Sequence, residues 1–330
     1  TWSRIGPEVA PTSSSASGVW LLNEYSENQG ANTWPNPYFG AGFVAGGEST
    51  SSLQLSRVDK FLFPSDSRLT LGTGLSLATY ALAGFSNSGT AGYTAGGISG
   101  GNSNVTRVDK FTYPGDSRTT LGTGLSNAIF YTSGMGNSGV AGYVSVGGTG
   151  NNTVDKFAFP SDSRTSLSTG LSQSLWQTAA MSNSGVAGYF TGGRLSNQAA
   201  VSTVDKFAFP SDSRTTLSTG LSAANRLGGA MADSGTAGYV GSGDSLYQTI
   251  NKFAFPSDAR TTLSATLTSG IWSAAGMENK GTAGYFAGGY TGPYITTVDK
   301  FAFPGDTKTT LSTGLSVASA FGASFSDANI

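Results

Sequence analysis

One phrase recurs six times in this chain and constrains its fold more than any other feature. It reads VDKFAFPSDSRTTLSTGLS from Val204, and close variants begin at Val58, Val108, Val154, Ile250 and Val298. The six starts lie 50, 46, 50, 46 and 48 residues apart. A period of this length is typical of four-stranded propeller blades, each of which buries its faces against its neighbours. The repetition therefore predicts an all-β protein.

Each period divides into four short strands. AGYFTGG (187–193) and TVDKFAF (203–209) alternate and are rich in aromatic residues, as strands are. In the turn FPSDS that follows, Pro210 presets φ and Asp212 is expected to hydrogen-bond to nearby amides. RTTLST (214–219) is a β-branched return strand, and residues 226–231 form the fourth.

The strand count predicts how the two ends of the repeat array meet. The first double-glycine strand, at Ala41, precedes the first VDKF phrase, and no such strand follows the last GLS. We therefore expect residues 319–326 to supply the missing strand of the N-terminal unit. This would give a six-bladed β-propeller closed by strand exchange between the N- and C-terminal segments, which removes open sheet edges.

The alternation within VDKFAF predicts how neighbouring blades pack. Asp205, Phe207 and Phe209 share one face of the strand, and the residues between them share the other. A Phe-rich face should then meet an Ala-rich face, and the Asp of one blade should meet the Lys of the next. Asn251 replaces this Asp in the fifth unit, so one link should be neutral.

Composition bounds the chemistry. The chain has no His and no Cys, which removes the commonest general base and all thiol chemistry. Of 18 basic residues, 12 occupy repeated positions, as do 11 of 19 acidic ones. Charges that recur in every unit for the same local reason are structural, so we expect no enzyme, no catalytic residue, no metal and no cofactor. The net charge of −1 argues against nucleic-acid binding. The sequence contains no run of about 18 apolar residues, so we expect no membrane-spanning segment.

The differences between repeats point to a working surface. The loop after the double glycine and the crossing after GLS share one rim, and both vary. One column, nine residues after the Leu of the return strand, should begin the innermost strand at the mouth of the central channel. It reads Tyr80, Phe130, Trp176, Arg226, Trp272 and Ala320.

Two interpretations of this column remain open. Its aromatic residues either fill space between the inner strands or face a ligand, and aromatic faces suit sugar rings. Tyr247, Tyr290 and Tyr294 add aromatic residues to the same rim. Among the arginines, only Arg226 is expected near the axis. The predicted ligand-binding residues are thus Tyr247, Tyr290, Tyr294 and the column without Ala320.

Residues 1–37 do not repeat and are expected to form a leader ahead of the propeller at 38–330. They hold three of the five Trp, and PTSSSAS reads as a flexible linker. Short segments that carry Trp on a flexible chain usually dock onto another surface. We therefore expect these residues to bind the propeller itself or a neighbouring subunit. Because residue 1 is Thr, we expect a processed product or a fragment of a longer chain.

Residues 38–330 resemble the kelch repeat, in the order double-glycine strand, aromatic strand, turn and return strand. A Leu stands where many kelch units carry a Trp on the fourth strand, as at Leu71 and Leu217. Kelch propellers bind partners through the loop-bearing rim, so the resemblance implies the same side here.

The segment SGVWLLNEYSENQGANTWP and the repeats are also similar to virion structural proteins of tailed phages, especially those of marine cyanobacteria. That resemblance implies an extracellular virion protein of the tail-fibre or capsid-appendage type. Its partners would be other virion proteins or a host-surface glycan. A purely architectural spacer or adaptor, and a cellular or secreted kelch-type scaffold for a protein partner, remain open as alternatives.

Overall fold

The computed structural model describes residues 40–148, 150–244 and 247–327. Within these ranges the regular structure consists of β-strands and a single turn of 3-10 helix, Thr50–Ser52. None of the helical structure in this part of the chain is long and apolar enough to cross a membrane. The expected leader, residues 1–37, and its boundary lie outside the described residues.

Six four-stranded antiparallel sheets contain 24 of the 29 strands in the described chain. We number them 1 to 6 by the order of their third strands along the chain, and count strands across each sheet. The first strands are Ala323–Asp327, Ala83–Asn87, Gly134–Asn137, Ala179–Asn183, Gly229–Asp233 and Ala275–Asn279. The second strands are Ala41–Ala45, Ala91–Ala95, Ala141–Ser145, Ala187–Thr191, Ala237–Gly241 and Ala283–Ala287.

The third strands are Val58–Leu62, Val108–Thr112, Val154–Ala158, Val204–Ala208, Asn251–Ala254 and Val298–Ala302. The fourth strands are Ser67–Thr70, Ser117–Thr120, Ser163–Ser166, Ser213–Thr216, Ala259–Thr262 and Thr307–Thr310. Five two-residue strands lie in the loops, namely Glu48–Ser49, Leu53–Gln54, Thr79–Tyr80, Ile98–Ser99 and Ser103–Asn104. The architecture is thus all-β and propeller-like.

Sheet 1 draws its strands from both ends of the described chain. Ala323–Asp327 pairs with Ala41–Ala45, with Phe325 opposite Phe43. Ala41–Ala45 pairs in turn with Val58–Leu62. The C-terminal segment therefore takes the place that the strand count predicts for it, although its strand begins at Ala323 and not at residue 319.

Neighbouring sheets pack through the aromatic residues at the third strand. Phe207 and Phe209 of sheet 4 are buried in one cluster with Ala141, Tyr143 and Val154 of sheet 3. The Phe209 and Tyr143 rings are stacked, with 5.0 Å between centroids. The predicted Phe-rich face is confirmed. The opposing face is not simply Ala-rich, because the tyrosine of the second strand lies on it as well.

The glycine of AGY makes this packing possible. A Cβ atom on Gly142 would lie 2.2 Å from a ring atom of Phe85, and one on Gly188 would lie 2.2 Å from Sδ of Met135. Real carbon atoms do not approach that closely. The first-strand Phe or Met of one sheet therefore packs directly over the glycine backbone of the next.

The predicted lysine–aspartate link between sheets uses a different aspartate. Nζ of Lys156 in sheet 3 donates to Oδ2 of Asp212 in the turn of sheet 4 at 2.6 Å. The Tyr143 hydroxyl donates to Oδ1 of the same carboxylate at 2.7 Å. Asp212 therefore joins two sheets, and the expectation that its side chain binds local amides is wrong. The equivalent ion pairs are Lys60–Asp116, Lys110–Asp162, Lys206–Asp258, Lys252–Asp306 and Lys300–Asp66.

The aspartate of the VDK phrase makes a second link, to the GLS serine of the preceding sheet. Asp205 accepts hydrogen bonds from the amide of Ser172 at 2.7 Å and from its hydroxyl at 2.8 Å. Asp205 therefore binds a serine of the preceding sheet, and Lys156 of that sheet binds Asp212 instead. The predicted Asp–Lys pairing is wrong for Asp205. In sheet 5, Asn251 accepts the Ser222 amide at 2.9 Å. The predicted neutral link is present, with a serine as its partner.

The first strands line a channel with a volume of about 190 Å³. Each first strand contacts the first strand of the next sheet, including Ala323–Asp327 with Ala275–Asn279 and with Ala83–Asn87. Small residues line the channel at one level: Gly84, Gly134, Ala180, Ala230, Gly276 and Ser324. One carboxyl group, that of Glu278, also lines the channel, and burial raises its pKa to about 8.

Candidate functional site: a variable rim of aromatic and charged residues

The predicted column lies just before the first strands, not at their start. Trp176 precedes the strand Ala179–Asn183 by three residues, and Trp272 stands at the same distance from Ala275–Asn279. The expectation that this column begins the innermost strand is therefore wrong. We call it the aromatic column: Tyr80, Phe130, Trp176, Arg226, Trp272 and Ala320.

A second column pairs with the aromatic column through the backbone. It consists of the residue that follows each double glycine or its equivalent: Glu48, Ile98, Gly148, Arg194, Asp244 and Tyr290. We call it the post-glycine column. Arg194 bridges to Trp176, Tyr290 to Trp272 and Glu48 to Ala320. Each pair thus places two variable side chains next to each other in one slot of the rim.

A third column forms a ring of hydrogen bonds. We call it the ring column: Ala81, Tyr131, Gln177, Leu227, Ser273 and Phe321. The amide of each member donates to the carbonyl of the member in the preceding slot, at 2.7–3.3 Å, and the amide of Ala81 donates to Phe321. The residues that follow them, such as Leu82 and Thr132, line the channel. The ring therefore lies at one end of the channel.

The ring column adopts a backbone conformation that L-residues rarely take. All six members have φ between 50° and 60°, and none is a glycine. The left-handed region costs a non-glycine residue about 1–2 kcal/mol. Six adjacent slots carry this cost together, and backbone strain of this kind clusters at binding sites. We call the three columns together the rim site.

Aromatic rings form two groups in the rim site. In one, Phe130 contacts Tyr131 and Trp176 at centroid distances of 5.0 and 5.8 Å. Phe321 lies 5.8 Å from Tyr131 and 6.3 Å from Tyr80. In the other group, Tyr290 contacts Trp272 at 5.9 Å and Tyr294 at 5.1 Å. These aromatic side chains are half-buried, so each keeps part of its surface in solvent.

Two arginines lie on this surface, one in an ion pair and the other stacked on an aromatic ring. Nε of Arg226 donates to Oδ2 of Asp244 at 2.6 Å, so its charge is balanced. The guanidinium carbon of Arg194 lies 4.7 Å from the centroid of the Trp176 ring, a cation–π contact. The expectation that only Arg226 lies near the axis is wrong, because Arg194 belongs to the same rim.

Glu48 lies among tyrosines. Burial, followed by the charge of Glu48, raises the pKa of Tyr294 to about 12. Burial, followed by Tyr80 and Glu48, raises the pKa of Tyr131 to about 12, while Arg194 acts in the opposite direction. Burial and then Glu48 also raise the pKa of Tyr80. These phenols stay protonated at neutral pH and can donate hydrogen bonds.

Within the part of the chain that the structure describes, several polar atoms of the rim are shielded from water and have no hydrogen-bond partner. They include Nε1 of Trp176, Nε1 of Trp272 and Oε1 of Gln177. Gln177 is 6% exposed and belongs to the ring column. Buried polar atoms normally have partners, so unpaired ones mark places that a ligand or water can satisfy.

The structure brings most of the predicted residues together. Four of the five predicted members of the aromatic column pair with the post-glycine column, namely Tyr80, Trp176, Arg226 and Trp272. Tyr290 and Tyr294 contact each other. Tyr247 is half-buried and, among the residues that the structure describes, makes no aromatic ring contact. Both interpretations of the column stay open, because its side chains pack on one another and still reach solvent.

Sequence reasoning missed Glu48, Tyr131, Arg194 and Phe321. The signal was available, because the post-glycine and ring columns also differ in every repeat, as the aromatic column does. Nothing in the letters marks the ring column as left-handed, since it contains neither Gly nor Asn. Chemically, the rim site offers aromatic faces, phenol hydroxyls, a carboxylate and a guanidinium, which suits recognition of a ligand with apolar faces and hydroxyl groups.

Comparison with known proteins adds a likeness of fold. No family model matches the chain, and no curated protein matches it. Solved structures do match, 350 chains in all. One of them, "Structure of YjhT", is 11% identical, with a TM-score of 0.64 over 84% of this chain and 98% of that one. At this identity the likeness shows the fold alone.

Proposed function

We propose that residues 38–330 form a six-bladed kelch-like β-propeller closed by the C-terminal strand, and that its variable rim binds a ligand. Three cyclic sets of contacts support six blades. The Lys–Asp ion pairs run from sheet 1 to sheet 6 and back to sheet 1 through Lys300–Asp66. The ring column and the contacts between first strands follow the same cycle.

One observation carries the binding function. Three columns vary from slot to slot in an otherwise repetitive molecule, and all three lie on one rim at one end of the channel. A repeat that only had to build a ring would need no such variation. Half-exposed Trp, Tyr and Arg side chains are the types that dominate recognition surfaces.

The resemblance of the repeats and of the N-terminal segment supports the setting. The protein is a non-enzymatic, extracellular component of a tailed-phage virion, on a tail fibre or capsid appendage. Its rim site binds a host-surface glycan or another virion protein. Aromatic faces stack on the C–H faces of sugars, and the phenols, Gln177 and Arg194 hydrogen-bond to sugar hydroxyls.

A second function, a purely architectural ring, is favoured by one observation. The indole N–H groups of Trp176 and Trp272 are shielded from water, as they are in packed cores. On this account the aromatic column fixes the angle between blades, and the ring serves as a spacer or adaptor.

A glycan array and a host-cell binding assay separate the two functions. The full chain is compared with Trp176→Ala, with Trp272→Ala and with Val186→Thr, and melting curves are recorded for all four. Val186 is 48% exposed on the opposite rim, and Thr236 occupies the same turn position in sheet 5, so Val186→Thr is a matched control.

A binding function predicts that the Trp variants lose about tenfold or more in affinity at an unchanged melting temperature. The Val186→Thr control should bind like the wild type. Absence of binding by the wild type, with both Trp variants melting far lower, would establish the architectural function instead.

A further inference from the structure

Glu48 is the one rim carboxylate that no basic residue balances within the described chain. Asp244, the other acid of the post-glycine column, is paired with Arg226 at 2.6 Å. The ion pairs of residues 40–148, 150–244 and 247–327 do not include Glu48. A half-buried carboxylate without an ion pair among the described residues is unusual on a rim whose other acid, Asp244, is paired.

The slot that holds Glu48 also differs in shape from the others. Its partner in the aromatic column is Ala320, the smallest member, whereas the slots of Arg194 and Tyr290 contain Trp176 and Trp272. Because the Ala320 side chain is small, it leaves space on one side of the slot. Tyr294 pairs with Tyr290 of the neighbouring slot, and the charge of Glu48 acts on Tyr294, Tyr80 and Tyr131.

We infer that the Glu48 slot is a subsite for the protonated amine of an amino sugar. An ammonium group carries three donors, which a carboxylate and neighbouring phenol oxygens can accept. A charge-assisted hydrogen bond is about twice as strong as a neutral one, and partial burial strengthens it further. The adjacent rings of Tyr290 and Trp272 offer a face on which the sugar itself can stack.

The charged groups around the slot define one orientation. Arg194 acts on Tyr131 with a sign opposite to Glu48, and its guanidinium lies over Trp176, so the positive pole of the rim lies on that side. An ammonium group is repelled there and attracted to Glu48. Asp244 offers no competing subsite, because Arg226 already occupies its carboxylate.

This inference rests on the proposed binding function and narrows its ligand class. The test uses two probes that differ only in N-acetylation, the glucosamine tetrasaccharide and its fully N-acetylated counterpart. Binding to the full chain is measured by calorimetry at about pH 6, where the amines are protonated. Glu48→Gln keeps the shape of the side chain and removes its charge. Val186→Thr, on the opposite rim, serves as the control.

The wild type should bind the glucosamine probe about tenfold or more tightly than the acetylated one. Glu48→Gln should abolish this preference, and Val186→Thr should keep it. Equal binding of both probes by the wild type, no binding of either, or a preference that survives in Glu48→Gln would overturn the inference. If the acetylated probe still binds and Trp176→Ala abolishes that binding, only the amine subsite fails and the proposed binding function stands.

Discussion

The substitution Phe43→Tyr should stabilise the protein. In five sheets the tyrosine of the second strand donates its hydroxyl to the turn aspartate of the next sheet at 2.7–2.8 Å. Sheet 1 has Phe43 at this position. Among the described residues, Oδ1 of Asp116 is consequently buried without a hydrogen bond, while Lys60 binds Oδ2 at 2.7 Å.

The magnitude follows from the five equivalent sites. Nζ of Lys60 lies 5.2 Å from the Phe43 ring centroid, against 5.3–5.5 Å at the tyrosines, so a new hydroxyl should reach Asp116 without repacking. A hydrogen bond to a charged group contributes about 1.5–3 kcal/mol. We expect a gain of about 1–2 kcal/mol in the free energy of unfolding, because burying the new phenol hydroxyl offsets part of this contribution. For 330 residues, the typical entropy of unfolding converts this into a rise in Tm of about 1.5–3 °C.

Thermal and denaturant unfolding followed by circular dichroism would measure the effect. Tyr143→Phe is the reverse control, since it removes the bond to Asp212 and should lower the free energy of unfolding by about 1.5–3 kcal/mol. A lower Tm for Phe43→Tyr, or no change for Tyr143→Phe, would refute the claim that these tyrosine–aspartate bonds stabilise the contacts between sheets.

Three further predictions concern packing, pH and the strand order. Gly142→Ala should lower the free energy of unfolding by about 1–3 kcal/mol, because its Cβ atom would collide with the Phe85 ring. Gly122→Ala is the control: nothing lies within 4 Å of its Cβ position, so it should change the free energy of unfolding by less than about 0.5 kcal/mol. Burial raises the pKa of Glu278 to about 8, so the folded state binds the proton more tightly than the unfolded state. Stability should therefore fall as pH rises from about 4.5 to 8, by at most about 1.4 kcal/mol per pH unit, and Glu278→Gln should remove that slope in a pH series of melting curves. Deleting residues 316–330 should abolish cooperative unfolding and cause aggregation, since a sheet edge becomes exposed; a soluble, cooperatively melting truncation would contradict the strand order.

Much of the fold could be predicted from the sequence because the same local pattern occurs in it six times. Alternation in VDKFAF identified the strand and its Phe-rich face, and the count of double-glycine strands identified the partner of Ala41–Ala45. The partners of Asp205 and Asp212 could not be predicted. Which aspartate meets Lys156 depends on where the turn of sheet 4 lies relative to sheet 3, and that position depends on the left-handed φ of 57° at Asp212.

The rim site could be predicted only in part. Variation between repeats identified the aromatic column, but pairing across the rim determines that Arg194 stacks on Trp176 and that Glu48 lies opposite Ala320. The left-handed backbone of the ring column could not be predicted from the sequence. A ring of six backbone hydrogen bonds, and not the local preference of each residue, holds Tyr131 and Phe321 in this conformation. Non-local hydrogen bonds of this kind leave no local pattern in the letters.

Binding of the labelled full chain to marine cyanobacterial cells tests the central claim, that the variable rim is the recognition surface. The comparison is between the wild type, the double variant Trp176→Ala/Trp272→Ala and the opposite-rim variant Val186→Thr, each with its melting curve. The account predicts saturable binding that the double variant loses at a nearly unchanged Tm and that Val186→Thr retains. Saturable binding that survives in the double variant, or that only Val186→Thr abolishes, would contradict it.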